Sequence, residues 1–592
     1  MKKPTVQRLL KVPCDNSMSN GLGESLCAGM KALHSGLFVR IALPVLVSLL
    51  VITGTGLKPA DNPDEEYFSI SKSIELLGDV YTNVSGNYVD SLDVAEFMYA
   101  GIDGMLDTLD PYTVFLDEDE SLELGELTSG QYAGIGVRIA DIAGDVFVVS
   151  VFGGTPASAA GLQVGDRIVK VDGKTVEGYD LDEVRNLIKG PSGTGVRLAV
   201  ERYGKRRWKR VRMVRQEVRV NSIRFAGLYG STGYLEMHSF GNRSADELGK
   251  AIRELRTTAS IRNTPMKAVI LDLRNNPGGL LDVAVDVTGL FVPKGSMVVS
   301  TRGRDPESSN VYRTTREPLL DTMPLAVLIN RNSASASEIV AGAIQELDRG
   351  VVVGDRSFGK GLVQSVISLP YDCTLKMTTA KYYTPSGRLI QKPHDWRQET
   401  RDILAGTKAE KGEPVYYTKH RRKVYGGGGI LPDIRIEAPE IGDYESALRR
   451  KGMLFRYANH YKASHERLPA AGIDRNVMMQ DFSRFLNGEG FAFRTESELL
   501  LEDMKKMLGE KADTVSADVD TLIVSLQNEL KQFADKKKSS ESETIAIALE
   551  EEVLRHYDED AARRSRIERD PVVKKARSIL EDSGAYKRIL RP

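Results

Sequence analysis

The sequence predicts a multidomain α/β protein in which a helical N-terminal segment, a β-rich domain, an α/β core and a helical C-terminal extension follow one another. Strands and helices alternate through residues 220–435, which is typical of a core with a largely parallel sheet. Short β runs separated by glycines occupy residues 130–215, and apolar residues recur at helical spacing in 64–125 and 436–592. The 592 residues suit several domains at roughly 100–200 residues each.

Residues 1–57 have the pattern of an export leader. An uncharged apolar run at 41–57 follows a stretch in which basic residues outnumber acidic ones. Such a pattern marks either a cleavable signal peptide or a single helix that anchors the chain in the inner membrane. If translation starts at Met30, the leader has the proportions of a conventional signal peptide. We therefore expect an exported, periplasmic protein, either soluble after cleavage or anchored.

The composition excludes several classes of protein. A hydrophobic content of 41% and a charged content of 28% are those of a globular protein, not of a disordered chain or a polytopic membrane protein. The formal net charge of −1 gives no overall attraction to nucleic acid, and we expect no nucleic-acid partner. The three cysteines and seven histidines show no metal-ligand spacing, so we expect neither a metal nor another cofactor.

The regions outside the core have simple patterns. Two apolar-periodic segments in 64–125 predict helices, which end at Asp110-Pro111-Tyr112. In 130–215 the β runs surround one predicted helix, LDEVRNLIKG. Residues 436–592 indicate charged helices interrupted by an exposed loop at 536–540. This extension suits homo-oligomerisation, docking of an adaptor or shielding of an active site, and the sequence does not rank these roles.

Two glycine- and serine-rich loops follow buried strands of the core. Residues 275–279 come after VILDLR, residues 331–338 come after AVLIN, and each loop leads into a helix. Ligands of open α/β sheets bind at the carboxyl ends of the strands, so both loops are expected to open on one crevice. The tetraglycine at 426–429 and Pro432 end this region.

A serine in such a loop needs a base to act as a nucleophile. Backbone N–H groups at a helix start favour a developing oxyanion, but a serine hydroxyl by itself is a weak nucleophile. No histidine lies in a comparable loop, because His238 is expected within a strand. Lys360 follows the VVVGD strand in a third loop, and burial lowers the pKa of a lysine towards neutrality. Gln364 is suitably spaced to hold its amine by a hydrogen bond.

The motifs DLRNNPGG, SASASE and FGKGLVQ, in this order behind a GIGV module, resemble those of the carboxyl-terminal processing peptidases, also called tail-specific proteases. The resemblance covers about 64–435. It implies that Ser335 is the nucleophile, that Lys360 is the general base and that Gln364 orients it. It also implies an oxyanion hole formed by the N–H groups of Gly278 or Gly279 together with Ala336. Ser333 and Ser337 compete for the role of nucleophile, and the resemblance alone decides between the three serines.

The β-rich domain resembles a PDZ domain. Gly134, Ile135, Gly136 and Val137 match the loop whose backbone N–H groups bind the terminal carboxylate of a peptide, which adds to the sheet as an edge strand. The helix LDEVRNLI is expected to form the other wall of the groove. This resemblance implies protein or peptide partners with a free C-terminus.

The predicted function is that of an exported serine endopeptidase with a Ser–Lys dyad that recognises the C-terminal tail of its substrates. The alternative is a non-catalytic peptide-binding scaffold in which the peptidase-like core is silent. A penicillin-binding type of enzyme is a third candidate, since Ser69 and Lys72 fit an SxxK motif. The companion motifs SDN and KTG are missing, so we expect these two residues on a helix surface.

Overall fold

The computed structural model describes residues 63–392, 413–437, 439–470, 472–509 and 517–591. The leader predicted at 1–57 lies outside these residues. The chain forms two compact units, which divide between Met98 and Tyr99. No helix in the described ranges is long and apolar enough to cross a membrane.

The described part of the first unit consists of helix α1 (Pro63–Asn87) and the beginning of α2 (Val94–Leu106). The Tyr81 hydroxyl donates to the carbonyl of Val94 at 2.7 Å, and its ring stacks on Phe97 with 5.7 Å between centroids. These contacts fix the turn between the two helices. The helical N-terminal segment that the apolar spacing predicts is thereby confirmed.

Two antiparallel sheets and two helices make up the β-rich domain. Its elements are β2 (Gln131–Gly134), β3 (Val137–Ile142), β4 (Asp145–Val151), α4 (Pro156–Ala159), β5 (Arg167–Val171), β6 (Lys174–Thr175), α5 (Leu181–Ile188), β7 (Gly195–Glu201), β8 (Lys209–Val214) and β9 (Gln216–Arg219), preceded by β1 (Val114–Leu116) and α3 (Glu118–Ser129). The main sheet has the order β3-β4-β5-β7-β8, so β3 lies at an edge. Asp180 caps α5 by accepting from the Glu183 backbone at 2.8 Å, and Val184 and Ile188 of this helix reach the domain's core.

The core contains a six-stranded sheet of order β10-β11-β12-β15-β16-β21. Only the first pair is antiparallel, which confirms the largely parallel sheet predicted from the alternation of elements. The elements of the region are β10 (Ile223–Tyr229), β11 (Thr232–Met237), α6 (Ser244–Ile261), β12 (Ala268–Asp272), α7 (Leu281–Thr288), β13 (Met297–Gly303), β14 (Val311–Arg313), β15 (Leu325–Ile329), α8 (Ala336–Glu346), β16 (Val351–Gly354), β17 (Leu362–Ser368), β18 (Thr374–Tyr383), β19 (Val415–Tyr417), β20 (Lys423–Tyr425) and β21 (Ile434–Arg435). Every residue of β12 and β15 is buried, as expected for strands covered on both faces.

A second sheet brings the N-terminal part of the second unit onto the core. Its order is β1-β18-β13-β14, and β17 also pairs with β18. The short strand β1 lies within the segment predicted to be helical, and its pairing with β18 sets the position of the preceding turn at Tyr112. That turn contacts Lys360 and Gln364.

The face of the six-stranded sheet opposite α6, α7 and α8 is covered by residues 559–590, the last part of the helices that form the C-terminal extension. These helices are α9 (Asp443–Arg450), α10 (Met453–Ser464), α11 (Arg475–Gly488), α12 (Glu496–Gly509), α13 (Ala517–Ser540), α14 (Ser542–Tyr557), α15 (Glu559–Arg569), α16 (Pro571–Glu581) and α17 (Ser583–Leu590). They also contact the β-rich domain: the rings of Phe147 and Phe455 meet edge to face at 5.3 Å, and Ser150 donates to Glu559 at 2.9 Å. The architecture confirms the predicted fold class.

Two further sequence predictions are wrong in detail. Residues 536–540 are not a loop but the last turns of α13, where Lys538 pairs with Asp535 at 2.9 Å. Lysine is a good helix former, and its charge is favourable at a helix C-terminus. His238 lies one residue beyond the end of β11 rather than inside a strand.

Candidate active site

Ser335 occupies the turn between β15 and α8 and is the N-cap of α8. Its φ of 55° lies in the left-handed region, which is unfavourable for a residue with a side chain. The first N–H groups of a helix have no partner within the helix and carry a partial positive charge. The turn therefore presents the serine hydroxyl beside donors that favour a developing anion.

The three serines of the SASAS motif differ in their surroundings. The Ser333 hydroxyl donates to the carbonyl of Leu273 at 2.8 Å, and the Ser337 hydroxyl donates to the carbonyl of Asn276 at 2.9 Å. Both side chains are fully buried, whereas Ser335 is partly exposed. Ser333 and Ser337 tie the loop to the neighbouring strand end, and Ser335 is the one that a substrate can reach.

Glu338, three residues after Ser335, is fully buried and joins the two loops. Its Oε2 accepts from the backbone N–H of Ser335 at 2.9 Å and from that of Lys360 at 3.0 Å. Its Oε1 accepts from the Ser357 hydroxyl at 2.5 Å and from the Gly359 N–H at 2.8 Å. Burial raises the pKa of Glu338 to about 7, while these four donors oppose that rise because they stabilise the carboxylate.

Lys360 lies in a pocket formed with Gln364 and Tyr112. Its Nζ donates to Gln364 Oε1 at 2.8 Å and lies 4.5 Å from the centroid of the Tyr112 ring. The Gln364 amide in turn donates to the Tyr112 carbonyl. The lysine amine is thus held by the residue expected to orient it, and the turn at Tyr112 fixes that residue.

The pKa of Lys360 is lowered to about 8. Burial is the main cause, and the positive charge of Lys376 lowers it further. The carboxylates of Asp110 and Glu338 act in the opposite direction. An appreciable fraction of the amine is therefore neutral at mildly alkaline pH, as a general base requires.

The NPGG loop packs directly on the Ser335 turn. The two loops are so close that a Cβ at Gly278 would come within 2.9 Å of the Ser335 Cβ. The Gly278 N–H donates to the Asn276 side chain at 2.9 Å, so it is not free to bind an oxyanion. The structure therefore does not support Gly278 as a donor of the oxyanion hole. The Gly279 and Ala336 N–H groups have no hydrogen-bond partner among the described residues.

Ser335 and Lys360 are brought together through the backbone. Since both N–H groups share one Glu338 oxygen, the two nitrogens lie within two hydrogen-bond lengths of each other. In the described part of the chain, no hydrogen bond joins the Ser335 hydroxyl to Lys360 Nζ. Catalytic hydrogen bonds are often long in the absence of substrate and shorten once it binds.

The predicted carboxylate loop, residues 134–137, lines a cavity of about 730 Å³. Strand β3 and helix α5 form two of its walls, as the sequence predicts. The third wall was not foreseen: it includes Glu559 and Arg563 of α15, from the C-terminal helices. The edge position of β3 leaves room for an added strand beside this cavity.

Three residues that support the site were not predicted from the sequence: Glu338, Tyr112 and Asn276. Glu338 had a signal, because a serine followed three residues later by glutamate is a capping box pattern. No sequence pattern indicates Tyr112, because it acts through its backbone carbonyl and long-range strand pairing brings it to Gln364. Asn276 is part of the NNPGG loop but was not assigned a role.

Three family models match separate parts of the chain. Peptidase family S41 matches residues 231–403, a PDZ domain matches 147–202, and the C-terminal helical domain of probable PDZ-proteases matches 444–580. The chain is 38% identical to a carboxy-terminal-processing protease of Bartonella bacilliformis over 54% of its own length and 73% of the relative's. The chain belongs to this family of proteases. It is a serine-type carboxy-terminal-processing protease with a PDZ domain.

Other similarities extend over between 15% and 60% of the chain. The carboxy-terminal processing protease CtpA of Bacillus subtilis is 32% identical, over 60% of this protease and 74% of that protein. Among solved structures, a photosystem II D1 C-terminal processing protease is 27% identical, covering 60% of this chain and 85% of that chain, with a TM-score of 0.32. The PDZ domain of a carboxy-terminal protease from Vibrio cholerae, in complex with a peptide, is 35% identical and covers 15% of this chain and 99% of that chain, with a TM-score of 0.15.

Proposed function

We propose that this protease is an exported endopeptidase that holds the free C-terminus of a protein in its PDZ domain and cleaves the chain with a Ser335–Lys360 dyad. One observation carries the proposal: a buried carboxylate, Glu338, bonds to the backbone of both dyad residues at 2.9 and 3.0 Å. This contact, together with the hydrogen bond from the Phe358 N–H to the Ser333 carbonyl at 3.0 Å, fixes the distance between the two loops. The lowered pKa of Lys360, to about 8, supports its role as the base.

In the acylation step, neutral Lys360 takes the proton of the Ser335 hydroxyl as its oxygen attacks the carbonyl carbon of the scissile bond. The N–H groups of Gly279 and Ala336 stabilise the oxyanion that forms. The bond to the leaving amine then breaks, and Lys360 donates its proton to that amine. Water, deprotonated by Lys360, hydrolyses the acyl ester and restores Ser335. Gln364 keeps the lysine amine directed towards these atoms.

The PDZ domain supplies recognition. A substrate tail adds to the edge of β3, and its carboxylate meets the backbone N–H groups of residues 134–137. The apolar side chains Ile135, Leu181 and Ile188 line the same cavity, which favours an apolar last residue. Export, and an apolar run at 41–57 that is either cleaved or kept as an inner-membrane anchor, belong to this proposal. A homo-oligomer, or an adaptor on the C-terminal helices, stays a prediction.

The test uses an unstructured protein substrate and its C-terminally amidated form. Wild-type protease is expected to cleave the free acid faster, and Ser335→Ala is expected to bind the free acid without cleaving it. Ser333→Ala is the matched control and should retain activity if the protein folds. Cleavage by Ser335→Ala would refute the dyad, and equal cleavage of acid and amide would refute the role of the PDZ domain.

A further inference from the structure

Tyr132 lies in β2, directly before the carboxylate loop, and lines the cavity with it. A Cβ at Gly134 would come within 2.7 Å of the Tyr132 ring, so the ring fills the space of the missing side chain. A Cβ at Gly136 would come within 2.3 Å of Thr155. The Tyr132 ring therefore packs against Gly134, and Thr155 packs against Gly136.

The Tyr132 hydroxyl is buried and finds no hydrogen-bond partner among the residues that the structure describes. Burying a hydroxyl without a partner costs free energy, so such groups usually have a reason to persist. Burial and the nearby charge of Glu126 raise the pKa of Tyr132 to about 12, and the Gly136 backbone opposes this rise. The phenol is thus a protonated donor at neutral pH, located close to a backbone donor of the loop.

Two basic residues of the cavity, Lys189 and Arg185, are already paired with acidic side chains. Lys189 pairs with Glu126 at 2.6 Å, and Arg185 pairs with Glu123 at 2.5 Å and with Asp182 at 3.1 Å. The Nε of Arg185 is a second buried donor without a partner in the described chain. Its two acidic neighbours make it a poor site for an anion, whereas the one acidic side chain near Tyr132, Glu126, is paired with Lys189.

We propose that the Tyr132 hydroxyl binds the terminal carboxylate of the substrate tail, together with the backbone N–H groups of residues 134–137. This inference rests on the proposed function of the PDZ domain and adds a side-chain donor to it. The ligand is any peptide with a free α-carboxylate and an apolar last residue. Tyr132 acts in recognition and takes no part in the chemistry at Ser335.

The experiment uses the full chain with Ser335→Ala, so that bound peptides are not cleaved. Fluorescence anisotropy measures the affinity for a labelled unstructured peptide ending in valine, as the free acid and as the amide. Tyr132→Phe is expected to weaken binding of the free acid roughly tenfold or more, the effect of losing a hydrogen bond to a charged group. Binding of the amide should be unchanged.

Tyr229→Phe is the matched control, because the Tyr229 hydroxyl is also buried without a partner but does not line the cavity. It should leave both affinities unchanged. The melting temperature of Tyr132→Phe should equal or exceed that of the parent, and a lower value would show that the hydroxyl already has a protein partner. If the free acid is preferred but Tyr132→Phe binds it equally or more tightly, the role of Tyr132 is refuted. If acid and amide bind equally when Tyr132 is present, the proposed function of the PDZ domain fails instead.

Discussion

Replacing Glu338 with glutamine tests whether the buried carboxylate is what aligns the dyad. The carboxylate accepts from four donors, and an amide keeps only one acceptor oxygen. If that oxygen stays with the Ser335 and Lys360 N–H groups, the amide nitrogen faces Ser357 and Gly359. The serine hydroxyl can rotate, but the Gly359 N–H loses its acceptor. One buried donor without a partner costs about 1–3 kcal/mol, which we expect as the loss in unfolding free energy.

The same substitution has a kinetic signature. The Glu338 carboxylate raises the pKa of Lys360, so its removal lets the lysine lose its proton at lower pH. The midpoint of the activity–pH curve should therefore shift to lower pH, while kcat falls because the two loops are held less firmly. Urea unfolding and a pH–rate profile with a short peptide substrate measure both effects.

The matched control for this variant is Glu346→Gln. Glu346 is buried in the same helix and pairs with Arg388 at 2.6 Å, away from the dyad. It should cost stability and leave the pH midpoint in place. An unchanged midpoint and kcat in Glu338→Gln would refute the alignment role.

Two further predictions concern Lys360. Lys360→Arg keeps the positive charge but cannot lose a proton, so kcat should fall at least about 100-fold in a peptide-cleavage assay, and substantial residual activity would contradict the dyad. Lys376→Gln removes the neighbouring positive charge that lowers the pKa of Lys360, so the midpoint of the activity–pH curve should rise, opposite to Glu338→Gln. Lys381→Gln, an exposed position on the same strand, should not move that midpoint, and an equal shift there would point to a general charge effect.

The sequence could indicate that Ser335 and Lys360 lie near each other because each is in a loop that follows a buried strand, and Gln364 follows in β17. Parallel strands bring such loops to one edge of the sheet, so the topology gathers what the sequence separates. Gly278 was assigned less well: its φ of 104° and its close packing explain why it is a glycine, and its N–H is already bonded. A motif indicates that a glycine is required without indicating which N–H remains free.

What could not be predicted depends on contacts between distant parts of the chain. The Tyr112 carbonyl reaches Gln364 only because β1 pairs with β18. The prediction of a loop at 536–540 was wrong because a run of lysines and serines is typical of a solvent-exposed linker but is also compatible with a helix end. Local sequence patterns indicate which side chains carry the chemistry of the site, whereas the contacts that hold those side chains in place depend on pairing between distant strands.

The wall that α15 contributes to the peptide cavity affects how this protease can be dissected in the laboratory. A fragment limited to the PDZ domain would lack Glu559 and Arg563, and Phe147 would lose its aromatic neighbour. Such a fragment would present a wider, more solvated groove than the intact chain does. Peptide libraries screened on it would therefore report the preferences of a different receptor, and selection with the complete protein is the appropriate route to its substrates.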